Sequence, residues 1–168
     1  DEDKWIDPTD SSKTNIALFH GSVAGVTTDT GWVMEHGDID IKSFAPFDYV
    51  LLGDIHKTYQ RLDDKGRVAY PGSLVQQNFG ESEDKGFLLW DIKDKENFTC
   101  KHYPLTNPKP FVTIELTPKG KMPKGLEIPN GARLRLVSQN NLPLDIMRRA
   151  LDIAKGRFKP ESVTFLNR

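Results

Sequence analysis

The stretch Phe47-Asp48-Tyr49-Val50-Leu51-Leu52-Gly53-Asp54-Ile55-His56-Lys57 decides how this chain is read. Its unbroken apolar run predicts a buried strand, and the run gives way at Gly53 to a carboxylate and an imidazole. Asp54 and His56 are two positions apart, so in extended backbone they point the same way. An oxygen and a nitrogen donor side by side suit a borderline divalent metal such as manganese, iron or zinc. Upstream, Asn15 to Phe19 reads as a second short apolar strand and runs into His20-Gly21-Ser22-Val23-Ala24-Gly25. Ligand sites in open α/β sheets gather outside the carboxyl ends of strands, so His20, Asp54 and His56 are expected at one edge.

Outward from this pair the pattern continues as strands and turns. The polar opening, Asp1 to Lys13, reads as a loop, and Met34 to Ser43 as a short helix or an irregular crossing. Tyr59 to Leu62 and Arg67 to Tyr70 form a hairpin about Asp63-Asp64-Lys65-Gly66, followed by the tight turn Tyr70-Pro71-Gly72-Ser73. Gly86 to Ile92 and Asn97 to Tyr103 form another antiparallel pair, which makes the sheet mixed and mostly antiparallel. Pro104, Pro108 and Pro110 mark a boundary, giving domains at 1–105 and 106–168. Beyond it, Phe111 to Leu116 and Ala132 to Ser138 alternate as strands, Leu144 to Lys155 has helical spacing, and Ser162 to Leu166 closes the unit. Asn140 or Asn141 is expected to cap the helix, with Pro143 in its first turn. Trp5, Trp32 and Trp90 are expected to pack, Trp32 from a loop that also allows exposure.

Taken together, His20 with Gly21 and Gly25, then Gly53-Asp54-Ile55-His56-Lys57, Tyr70-Pro71-Gly72-Ser73-Leu74, Glu81 and Lys85-Gly86-Phe87 resemble the C-terminal half of a calcineurin-like metallophosphoesterase of the SbcD type. That resemblance covers roughly the first 105 residues. It implies an α/β fold, a partial metallophosphoesterase sandwich followed by a small α+β cap. Two divalent ions, manganese by preference, belong to the complete enzyme, and this fragment alone need not bind either. His20 matches the family's lone ligand histidine and His56 its terminal one, while Asp54 stands where the family has histidine. Motifs of the Asp-x-His, Gly-Asp and Asn-His kind have no counterpart here, so catalytic residues are expected outside this chain, which alone would be inactive. The resemblance further implies DNA as substrate, an SbcC-like ABC ATPase as partner, and a homodimer in the complete enzyme. Ser73 and Gln76, beside the expected site, are candidates for touching a phosphate, whereas His36 and His102 match no element of the family and read as structural or surface groups.

Charge is distributed unevenly. Asp1 to Pro108 carries 11 Lys and Arg against 19 Asp and Glu, a balance of −8, and Lys109 to Arg168 carries 12 against 5, a balance of +7. A basic second half suits phosphate backbones, with Arg133, Arg135, Arg148, Arg149, Lys155 and Arg157 as DNA-binding candidates beside a loop carrying Lys119, Lys121 and Lys124. An ordinary solvated face explains the same composition. The single cysteine, Cys100, excludes an internal disulfide framework and fits a cytoplasmic protein. No apolar window reaches the ~20 residues of a membrane span. Besides the nuclease, two other readings stay open at this point: a noncatalytic nucleic-acid- or protein-binding module with vestigial ligands, and a phosphoesterase acting on something other than DNA.

Overall fold

The computed structural model describes residues 6–168, so Trp5 lies outside the described residues. Two compact units emerge: one runs to Val75 and resumes over Gly80–Leu105, and the other joins Gln76–Phe79 to Thr106–Arg168.

In the first unit β1 (Ile16–His20), β2 (Tyr49–Gly53), β3 (Gln60–Arg61) and β4 (Val68–Tyr70) make one sheet in the order β1-β2-β4-β3. Strand β2 runs parallel to both β1 and β4, and β3 pairs antiparallel with β4 through the expected hairpin. A separate antiparallel ladder joins β5 (Gly86–Ile92) to β6 (Phe98–Pro104). The α/β class with mixed sheets is as expected, although parallel pairing has the larger share in the four-stranded sheet. The connection from β1 to β2 explains how: the chain crosses back through bridges Val23↔Ile39 and Thr27↔Val33 and a 3-10 turn at Ile41–Phe44. Asp40 begins that turn by accepting from the Lys42 N–H at 2.8 Å.

Alternation along β1 and β2 sets the core. Ala17 and Phe19 share a face with Val50 and Leu52 and pack with Val23, Val26, Phe44 and Tyr70. On the opposite face Tyr49, fully buried, meets Phe98 at 5.0 Å and Trp90 at 6.4 Å between ring centroids. Trp90 therefore packs as expected, whereas Trp32 is 62% exposed.

The second unit holds three parallel strands in sequence order, β7 (Phe111–Glu115), β8 (Arg133–Ser138) and β9 (Ser162–Asn167), with helix α1 (Leu144–Phe158) between the last two. Ile114, Leu134 and Leu136 face the buried stripe Ala150, Ala154 and Phe158, whose four-residue spacing lies on one side of the helix. Neither Asn140 nor Asn141 caps α1. Pro143 takes the flanking position with no side-chain bond, and Asn141, at φ 41°, accepts from Asn167 Nδ2 at 3.3 Å. At the other end Lys159, at φ 45°, closes the helix through its N–H to the Lys155 carbonyl. Since Ala154 is 0% exposed, Ala154→Leu is expected to overpack this core and cost about 1–3 kcal/mol in a denaturant titration. No helix among the described residues is long and apolar enough to cross a membrane.

Candidate metal centre

His20 ends β1, and the parallel register sets it beside Gly53 at the end of β2. The missing side chain matters here, because a Cβ on Gly53 would lie 2.8 Å from His20 Nδ1. Asp54 follows at φ 94°, a region that L residues adopt at a cost of about 1–3 kcal/mol, and such strain is typically held in place at functional positions. Its Oδ1 stands 3.7 Å from His20 Nε2, and both side chains reach solvent. Two ligands that each sit about 2.1 Å from one ion are about 3–4 Å apart, so this spacing suits a shared cation.

The turn after His20 is held from two sides. Tyr70, fully buried, donates to the Gly21 carbonyl at 2.7 Å and accepts from the Val23 N–H at 3.0 Å. Burial pushes its hydroxyl up to about 12, so it remains a neutral donor at ordinary pH. Asp38 accepts from the Ser22 N–H at 2.7 Å and the Ser22 hydroxyl at 2.8 Å, bonds that hold its carboxyl below the usual carboxylate range. Tyr70→Phe leaves the Gly21 carbonyl and the Val23 N–H without this partner. An expected loss of about 1–3 kcal/mol follows, readable as a lower denaturant midpoint.

His56 has a carboxylate partner of its own. Its Nδ1 lies 2.9 Å from Glu81 Oε1, and the Glu81 side chain is only 4% exposed. Glu81 Oε2 also receives the Ser73 hydroxyl at 3.2 Å and stands 3.6 Å from Lys85 Nζ. Lys85, 1% exposed, donates to the His56 carbonyl at 2.6 Å and to Asp29 Oδ2 at 2.8 Å. Burial pushes the Asp29 carboxyl up, but hydrogen bonds from Lys85 and from the Ser82 N–H and hydroxyl outweigh this and leave it below the ordinary value.

The structure thus brings His20 and Asp54 together and ties His56 to Glu81. As donor chemistry, an imidazole nitrogen and a carboxylate oxygen fit one flank of a divalent-ion site. No group of three or more His, Cys, Asp or Glu able to hold a metal occurs among the described residues. Ser73 is buried in the Glu81 cluster, and Gln76 accepts from the Phe111 N–H at 3.2 Å, so both serve internal bonds. His36 is exposed, and His102 stacks on Tyr59 with centroids 6.2 Å apart. Sequence reasoning missed Asp29, whose ion pair with Lys85 spans 56 positions, and gave Glu81 and Lys85 no role.

The basic candidates of the second unit fall into two groups. Arg133 and Arg135 alternate with the buried Leu134 on β8 and so lie on the sheet face away from α1. Each is occupied locally. Arg133 lies over Phe111 at 4.9 Å and pairs with Glu161 at 3.0 Å, and Arg135 lies over Phe79 at 4.6 Å and donates to the Thr113 hydroxyl at 3.1 Å. Arg148, Arg149, Lys155 and Arg157 are exposed along the helix that covers the other face.

No family model matches the chain. It is 31% identical over 140 residues to "Uncharacterized protein R555" of Acanthamoeba polyphaga mimivirus, covering 83% of this chain and 10% of that protein. It is also 30% identical over 112 residues to the SbcD subunit of nuclease SbcCD from Staphylococcus epidermidis, covering 64% of this chain and 29% of that protein. The chain therefore spans less than a third of either curated relative. The second likeness is partial, and it fits a metallophosphoesterase-like relation and a nuclease-like role.

Proposed function

We propose that this chain is part of a metal-dependent DNA nuclease of the SbcD kind, hydrolysing phosphodiesters. The observation that carries this reading is the approach of His20 Nε2 to Asp54 Oδ1, 3.7 Å apart at the carboxyl ends of two parallel strands, in a chain partly similar to a nuclease component. Divalent ions, manganese by preference, supply the positive charge that a phosphodiester needs while it is cleaved. In this reading His20, Asp54 and His56 furnish one side of the ion site, and the remaining donors come from polypeptide outside these 168 residues. Helix residues Arg148, Arg149 and Lys155 are better placed to hold a DNA backbone than Arg133, Arg135 and Arg157, which are engaged locally. An SbcC-like ABC ATPase and a second copy of the nuclease chain are the partners of the assembled enzyme.

A second reading, a nucleic-acid-binding module without catalysis, is favoured by the exposed basic side chains that α1 carries in the second unit. Titrating Mn²⁺ into the chain, followed by the electron paramagnetic resonance of free ion, separates the two. The nuclease reading expects a bound ion that His20→Ala or His56→Ala removes. DNA binding that persists without any ion, in a chain that takes up none, supports the module instead.

A further inference from the structure

Every contact of His56 with the buried cluster leads back to Glu81, Lys85 and Ser73. We infer that Glu81 is a positioning residue that fixes the proton of the neutral His56 imidazole on Nδ1 and so turns an unprotonated Nε2 toward solvent as a ligand. This rests on the reading of His56 as an ion ligand, and it adds a role for a residue that neither binds the ion nor touches the substrate.

Hydrogen-bond chemistry points to one tautomer. An ionised carboxylate has acceptors and no donor, so with Glu81 ionised the His56 Nδ1, 2.9 Å away, is the donor to Glu81 Oε1. The proton of a neutral ring sits on one nitrogen, which leaves the lone pair on Nε2, at the far side of a side chain that is 48% exposed. Glu81 itself is held: its Oε2 accepts from the Ser73 hydroxyl at 3.2 Å and faces the Lys85 ammonium at 3.6 Å. The same two residues grip the backbone of residue 56, since Lys85 Nζ and the Ser73 N–H donate to the His56 carbonyl at 2.6 and 3.1 Å. One cluster therefore fixes both the backbone at His56 and the rotation of its ring. Carboxylates that accept from the far nitrogen of a ligand histidine raise its basicity and order it, and their loss typically costs 10–100-fold in metal affinity.

Long-range ¹H–¹⁵N spectra of histidine-labelled chain, recorded without metal, read the tautomer directly. His56 is expected to carry its proton on Nδ1 in the wild type. Glu81→Leu, which removes the acceptor, is expected to shift the proton toward Nε2, and Glu81→Gln, whose amide oxygen still accepts, to restore it. Mn²⁺ affinity should fall about 10–100-fold in Glu81→Leu and less in Glu81→Gln. A wild-type His56 protonated on Nε2 overturns the inference whether or not any variant folds, and so does a Glu81→Leu chain that keeps the proton on Nδ1. If the tautomers behave as expected but no Mn²⁺ binds, the positioning role stands and the nuclease reading falls.

Discussion

Replacing Lys85 with Met is expected to lower the unfolding free energy by about 3–5 kcal/mol. The ammonium is 1% exposed and lies 2.8 Å from Asp29 and 3.6 Å from Glu81, whose side chains are 10% and 4% exposed. Met fills a similar volume and supplies no charge, so two carboxylates are left in a region that water barely reaches. That residual charge, and not the lost pair as such, sets the size of the effect. The sign with pH follows from Asp29. In the wild type its carboxyl is held below the ordinary value, so its contribution is present at neutral pH and is lost as acid protonates it. Without Lys85 the burial that pushes this carboxyl up is no longer opposed by that ammonium, and protonation then relieves the variant. The deficit of Lys85→Met should accordingly shrink as the solution is acidified. Adding Asp29→Asn to Lys85→Met should recover part of the loss at neutral pH, and a double-mutant cycle from denaturant midpoints measures the coupling.

Gly53→Ala should do the reverse, weakening ion binding while sparing the fold. The new Cβ would stand 2.8 Å from His20 Nδ1, and the atom it meets is the end of a side chain that is 81% exposed and free to swing aside. Backbone pairing of β1 with β2 is untouched, and Ala in a strand is about 0.5–1 kcal/mol more favourable than Gly. Moving the imidazole separates Nε2 from Asp54 Oδ1. Mn²⁺ affinity is therefore expected to drop at least as far as a lost supporting contact implies, about 10–100-fold, with an unchanged or higher denaturant midpoint. Equal affinity in Gly53→Ala and wild type would remove His20 from the ion site.

Strands were the most legible part of this chain because their cues are local. The run Tyr49-Val50-Leu51-Leu52 and the turn residues at Asp63-Asp64-Lys65-Gly66 and Lys93-Asp94-Lys95-Glu96 each act over a few positions, and they mark β2, β3–β4 and β5–β6. Direction of pairing is not a local property. The alternation in Phe111 to Glu115 and Arg133 to Ser138 announces strands but says nothing of their parallel register, which follows from the long return between them. The helix cap was misread for a similar reason, since Asn141 and Asn167 satisfy one another across the unit where a local rule pointed to the helix end. Of the candidate site, strand-end placement of His20 and Asp54 could be read from where the apolar runs stop. The attachment of His56 to Glu81 could not, because a buried Lys85 with its partner 56 positions away runs against every expectation for a lysine in an acidic segment. Charge counting likewise overstated the free basic surface, as Glu161 pairs with both Arg133 and Lys109.

Whether His20, Asp54 and His56 serve a single cation is tested most directly by paramagnetic broadening, which detects weak sites as well as tight ones. Substoichiometric Mn²⁺ added to isotopically labelled chain should broaden the signals of all three residues together, and His20→Ala should abolish the broadening at Asp54 and His56 as well. Broadening of His56 that is unchanged in His20→Ala, or broadening confined to exposed acidic turns such as Asp63-Asp64, would contradict a shared ion and with it the nuclease reading.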